Sequence, residues 1–237
     1  MIALVCVLLE VFAGPEVAVR RVTFRDRLTP GLSGYRSGAL PLLRLEALAY
    51  PARGLLALDD LGFFGSYARS PWKARTLTAD GSLAFETQEI AWEAGARYRV
   101  VVDGVERGGA SISYGSLRSD FAGPQLAGVL LPSGTLEYWR PGLDARLPLG
   151  PVVLVGGLAY LAPARQDKIG GAFPRASSGG VEAGLHAEAA LGKFWLRAAV
   201  RYLRFFYALH PQPHDPYIAG GAIDEVASAS LALGYRL

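Results

Sequence analysis

Asparagine is missing from this sequence altogether, and cysteine, histidine and lysine are nearly so: 237 residues hold one cysteine, Cys6, three histidines and three lysines. One thiol excludes a disulfide scaffold, and without asparagine there is no N-glycosylation acceptor. Long apolar runs are missing too. No stretch reaches the roughly 18 to 20 uninterrupted apolar residues that a membrane helix needs, although 51% of the chain is hydrophobic and only 19% charged. The apolar surplus is spread in short pieces, which excludes a helical membrane protein, and its size excludes a disordered chain. Neither sign of charge dominates: 24 basic residues, nearly all arginine, face 21 acidic ones for a net +3. No linker, low-complexity tract or charge block divides the chain, so residues 1–237 read as one domain.

What is present is alternation. In residues 89–100, Glu89, Glu93, Arg97 and Arg99 alternate with Ile90, Trp92, Tyr98 and Val100. Period two means strand. Residues 181–191 repeat it with Glu182, His186 and Glu188 opposite Val181, Leu185 and Leu191. Residues 194–202 set Arg197 and Arg201 against Leu196 and Val200; residues 43–49 set Arg44 and Glu46 against Leu43 and Leu45; residues 143–147 carry Asp144 and Arg146. Residues 227–237 place Ala229, Leu231, Leu233, Tyr235 and Leu237 on one face. Weaker candidates are 55–69, 110–121 and 151–161, where Gly156 and Gly157 are expected to leave room for bulky neighbours.

Connections alternate between tight (51–54, 103–108, 148–151, 191–193) and long (26–38, 70–82, 122–134, 162–179, 208–221). This gives an even count of about ten strands with both termini on the short-turn side. A soluble barrel has the same period with its apolar set inside. Here the polar face carries sparse Glu and Arg of opposite sign, which suits a confined lumen better than a solvated surface. Aromatics near strand ends (Tyr50, Tyr98, Tyr138, Trp139, Tyr160, Phe194, Tyr202, Tyr235) suit the girdles of a lipid-facing wall. The expected fold is all-β: a single closed antiparallel up-and-down transmembrane β-barrel of about ten strands.

On these features the chain resembles the outer-membrane β-barrel proteins of Gram-negative bacteria over essentially its whole length. The resemblance implies location more than activity. It implies membrane lipid as surroundings and the outer-membrane insertion machinery as a partner that reads the terminal strand through Leu231, Leu233, Tyr235 and Leu237; members of that family usually end in Phe or Trp, whereas this chain ends in Leu.

Residues 1–13 have two readings: a signal-peptide remnant, suggested by the apolar run 2–9 and Ala13, or the first half of a strand over 4–24 kinked at Gly14-Pro15. The missing basic n-region and Glu10 favour the strand. Cys6 reads as a lipid- or core-facing hydrophobe.

The inward set expected from the alternation is Arg44, Glu46, Glu89, Glu93, Arg97, Asp144, Arg146, Glu182, His186, Glu188, Arg197 and Arg201. These large side chains of both signs are expected to form a cross-barrel ionic network that plugs the lumen. The leading function is a non-enzymatic barrel serving membrane integrity or surface interaction, the second a narrow pore, the third a surface hydrolase. His186 among carboxylates reads as a hydrogen-bonded filler before a metal ligand or catalyst. The segment with His210, His214 and Asp215 suits a surface metal clip, and its prolines equally make it a stiff loop. The omptins, outer-membrane proteases, set an acidic pair against an Asp–His pair across the barrel mouth. Asp59-Asp60 and His214-Asp215 match this only superficially, because adjacent strand residues point to opposite faces and the acidic pair follows a tight turn. No cofactor or metal is expected. Arg20, Arg21, Arg25 and Arg27, with Arg165, Lys168 and Arg175, suit lipopolysaccharide phosphates or plain solvated loops, and the apolar strand faces leave no place for a nucleic-acid module.

Overall fold

The computed structural model describes residues 8–29, 32–50, 59–79, 81, 83–122, 134–166 and 172–236. Twelve strands occur among them: β1 (Leu8–Arg25), β2 (Tyr35–Ser37), β3 (Leu40–Tyr50), β4 (Leu61–Arg69), β5 (Ala74–Thr78), β6 (Ala84–Val102), β7 (Val105–Ala122), β8 (Gly134–Leu149), β9 (Val152–Gln166), β10 (Ser177–Leu191), β11 (Phe194–Ala208) and β12 (Gly221–Arg236). Antiparallel ladders run from β12 back to β6, then through β4 and β3 to β1, and β1 pairs with β12 to close a ring of ten. Closure leaves the wall no free edge strand, the condition for crossing lipid with strands.

The two short strands are not extra staves. β2 pairs with β1 and β5, and β5 pairs with β6, so the pair continues the wall above β3 and β4. Each of these staves is one long strand broken in the middle, the second of them around Pro71, which has no N–H to donate. Loops expected over 26–38 and 70–82 therefore contain strands. The loop expected over 162–179 also shrinks, since β9 runs to Gln166 and β10 begins at Ser177. The turn at 51–54 and most of the loop at 122–134 lie outside the described residues.

The turn read as 103–108 is two residues. Asp103 (φ 53°) and Gly104 (φ 74°) both take positive φ between the paired Val102 and Val105, the type I′ geometry that matches strand twist. Residues 105–108 are strand, with a register shift at Val100/Val101. In β1, pairing to β12 lapses at Gly14 and Pro15 while pairing to β3 continues, so the kink is absorbed within one strand. Leu8–Ala13 are paired in this strand; Met1 to Val7, with Cys6, lie outside the described residues.

The wall is apolar outward. Leu43, Leu45, Ile112, Leu143, Leu158, Leu185, Val200, Leu231 and Leu233 are exposed on it. Towards the loops Trp92, Tyr114 and Trp139 stand side by side with ring centroids 5.9 and 5.1 Å apart, and towards the turns Phe194 packs edge-on to Tyr235 at 5.7 Å. Two aromatics expected on this face point inward instead: Tyr50 and Tyr138 are 2% and 4% exposed. Of the glycine pair in β9, Gly157 lines the interior beside Asp144, whereas Gly156 lies on the outer face.

Candidate functional site

The barrel interior has three levels, set by which inward positions of the staves carry charge. Nearest the turns, Glu188 on β10 is fully buried and meets four basic groups. Arg197 donates to its Oε1 from Nε (3.0 Å) and Nη2 (2.8 Å), Arg146 and Arg236 donate to its Oε2 at 3.0 and 2.8 Å, and His186 Nε2 stands 3.2 Å away. From this carboxylate the contacts spread around the ring. Arg197 reaches Glu46 at 2.5 Å, Arg146 reaches Glu106 at 3.3 Å, and Arg236 pairs with Glu10 at 2.8 Å. Arg97 bonds Glu106 at 2.8 Å, Asp144 at 2.6 Å and the Tyr50 hydroxyl at 2.7 Å. The guanidinium carbons of Arg197 and Arg236 also lie 3.6 Å over the rings of Phe12 and Trp195, so their faces are covered as well as their edges.

At mid-height Arg140 forks onto Glu182 (3.1 and 2.8 Å) and reaches Glu93 at 3.5 Å, while Ser113 donates to Glu93 at 2.6 Å. Arg44 and Arg201 both approach Glu16, and Arg44 also faces Glu46 at 3.7 Å, which joins this level to the one below. The inward face of β7 is small here because its neighbours are large. A Cβ on Gly115 would stand 3.0 Å from the Tyr138 ring, and one on Gly109 would stand 2.9 Å from the Arg97 guanidinium.

Above mid-height the filling changes character. Ala18, Leu42, Ala68, Leu117, Tyr138, Leu203 and Val226, from seven different strands, make up a buried apolar layer around a small cavity of about 30 Å³, and all but Ala68 belong to one packed cluster. It merges with Leu40, Leu136, Leu161, Phe205 and Tyr207, and with Leu32, Phe173, Leu209 and Ala219 that the loops fold inward. Within this core sits one ionic group: Arg20, 1% exposed, forks onto Asp224 and donates to Glu89 at 2.9 Å, and Ser119 donates to the same carboxylate at 2.9 Å. A cavity of about 310 Å³ lies on the turn side of the layer, lined by Glu10, Glu16, Arg44, Glu46, Arg197 and Arg201 among others.

All twelve residues read from the sequence as luminal point inward; the eleven Arg, Glu and Asp side chains among them each have an ion-pair partner, and His186 stands beside Glu188. They belong to separate groups, however, and the loop-side interior is filled mainly by apolar side chains around the Arg20 group. Sequence reading missed Glu10, Glu16, Arg140, Asp224 and Arg236, all at inward positions of the same alternation, and Glu106, which turns inward only beyond the register shift at Val100/Val101. Arg20 is a correction. Read with Arg21, Arg25 and Arg27 as the base of a loop, it is instead buried, because adjacent strand residues take opposite faces.

The remaining candidates are dispersed. Leu231 and Leu233 face outward and Tyr235 stacks on Phe194, as the terminal strand pattern requires; Leu237 lies outside the described residues. Asp59 and Asp60 are on a turn before β4, not on the strand, and Asp60 pairs with Arg99 at 2.6 Å. His210, His214 and Asp215 are on the opposite, loop end. There Asp215 accepts from Arg175 and from the Gln212 backbone N–H at 2.6 Å, and His210 Nε2 is 3.3 Å from Ser177 Oγ. The Arg175 hydrogen bond, followed by that of Gln212, holds the Asp215 carboxyl below its usual range. No group of three or more metal-ligating side chains occurs among the described residues.

No protein-family model matches the chain, and no curated protein matches it in sequence. Solved structures do. The translocator domain of the autotransporter NalP from Neisseria meningitidis is similar with a TM-score of 0.50 at 14% identity, covering 97% of this chain and 88% of that one. The outer membrane protease OmpT from Escherichia coli is similar with a TM-score of 0.49 at 8% identity, covering 98% and 96%. At such identities what is shared is the fold, and the fold is the closed antiparallel β-barrel of Gram-negative outer-membrane proteins.

Proposed function

We propose that the chain resides in the outer membrane as a non-enzymatic barrel with a closed lumen, its loops outside the cell, serving membrane integrity or surface interaction. The observation that carries this reading is the double filling of the interior: the ion pairs around Glu188 and Glu16, and above them the apolar layer through Leu117, Tyr138, Leu203 and Val226. Large side chains at ten staves leave little free section. The exposed apolar wall between two aromatic levels supports membrane residence, and the short-turn, long-loop alternation supports the orientation. Asp59-Asp60 and His214-Asp215 stand at opposite ends of the barrel, which favours this reading over a surface hydrolase of the kind one structural neighbour is named for.

The cavity of about 310 Å³ on the turn side favours one competitor, a narrow pore for which it is the vestibule. Planar-bilayer conductance of the purified protein decides between them. A closed barrel gives no steady current, and a large, stable porin-like conductance overturns the closed-lumen reading.

A further inference from the structure

We infer that the outer wall over β11, β12, β1 and β2 binds the phosphorylated headgroup of an outer-leaflet glycolipid, with one acyl chain lying against the wall beneath it. The register places Arg204 beside Glu225, Glu225 beside Arg21, and Arg21 directly opposite Arg36. All four face outward, since their chain neighbours Leu203, Phe205, Asp224, Val226, Arg20, Val22, Tyr35 and Ser37 are buried. At about 4.8 Å per strand the row spans about 14 Å.

The row is short of negative charge. Like charges directly opposite on neighbouring strands repel, and among the described residues neither Arg21 nor Arg36 has a carboxylate within ion-pair distance. The one carboxylate in the row, Glu225, already accepts from the Tyr202 hydroxyl at 2.5 Å. Arg20, the chain neighbour of Arg21, has two carboxylates inside the barrel, so the deficit is confined to the outer face. Two opposed guanidinium forks are matched by a phosphate, whose oxygens take paired N–H donors.

What lies below makes the ligand amphiphilic. The next two rows toward the turns read Tyr202, Ala227, Val19 and Val200, Ala229, Val17. Small alanines on β12 therefore form the floor of a trough one strand wide, walled by exposed Tyr202 and Val200 on one side and by exposed Val19 and Val17 on the other. Leu231 follows on the same strand and ends it. A free anion has no use for this trough, whereas a lipid whose headgroup sits on the arginines places a chain in it.

The site rests on the reading that the loop end faces outside, and its test is separate from that reading. Protein in phosphatidylcholine nanodiscs is given bisphosphorylated lipid A or its dephosphorylated form, and retained lipid is counted by native mass spectrometry. Heat-modifiable migration checks that each variant folds, and labelling of loop and turn cysteines on cells checks orientation. The unmutated protein is expected to retain one bisphosphorylated lipid and Arg21→Ala/Arg36→Ala to lose about tenfold in retention. Ala227→Trp, which fills the trough and leaves the charges, is expected to lose as much and keeps the test alive if the double variant does not fold. Arg118→Ala, whose guanidinium pairs with Asp120 at 3.0 Å elsewhere on the wall, is expected to change nothing. Equal retention by the double variant or by Ala227→Trp, equal retention of the dephosphorylated lipid, or displacement by millimolar inorganic phosphate overturns the inference.

Discussion

Arg20 and Asp224 lie 204 positions apart in the chain and meet in a forked ion pair inside the apolar loop-side core, with Arg20 Nε 2.8 Å from Asp224 Oδ1. Strands β1 and β12 carry them, and these are the two strands whose pairing closes the barrel. The pair therefore exists only in the closed ring.

Asp224→Asn leaves the Arg20 guanidinium short of a charged partner in a core that excludes water. Removing one member of a buried pair typically costs about 3 to 5 kcal/mol, whereas replacing the whole group with apolar residues of similar size is often neutral. Asp224→Asn is expected to lower the heat-modifiability midpoint in detergent sharply, and Arg20→Met/Asp224→Leu/Glu89→Leu to recover most of the loss. An unchanged midpoint in the single variant refutes the assignment.

Glu188 is expected to matter more than Glu106. Both accept from Arg146, but Glu188 is fully buried and also serves Arg197 and Arg236, while the Glu106 side chain is 25% exposed. Thermal unfolding of Glu188→Gln and Glu106→Gln should place the first well below the second, with Ala187→Leu on the outer face close to unmutated protein. The reverse order contradicts the ion-pair description.

Gly115→Val tests the packing of the apolar layer. Its side chain would enter space held by the buried Tyr138 ring, and overpacking of this kind costs about 1 to 3 kcal/mol. Tyr138→Gly in the reverse sense empties the layer and is expected to raise bilayer conductance, while Arg197→Ala, below the layer, destabilises without opening a path. A leak from Arg197→Ala with none from Tyr138→Gly would move the seal to the ionic level.

Asp215 gives the loops a pH dependence. Arg175 lowers its carboxyl in the folded loop, so the clamp contributes above the unfolded carboxylate value of about 4 and is lost as pH falls through the lower folded value. Hydrogen exchange in residues 209–220 should be flat from pH 8 to 5 and rise in more acid solution once corrected for intrinsic rates. Asp215→Asn should exchange faster from pH 8 to 5 and converge with the unmutated protein in acid, and identical profiles for the two proteins would remove the clamp.

Period two along each strand was legible without a structure because the face on which a residue lies is a local property of extended backbone. That periodicity, with arginine and glutamate on one face and leucine, valine and alanine on the other, determined the strands, the inside-out wall and the twelve luminal residues from Arg44 to Arg201. Tertiary structure alone decided which charges meet, because partners such as Arg197 and Glu46, 151 positions apart, are brought together by register and closure. It also decided that the wall extends far enough for Arg20 to be buried among apolar residues, and that residues 35–37 and 74–78 complete broken staves; the inward turn of Arg20, Tyr50 and Tyr138 follows the local alternation they share with Glu16, Glu46 and Asp144. The apolar layer was hidden for the same reason: each of its seven residues is one inward position on a different strand, and no local pattern marks residues that become neighbours only when the ring closes.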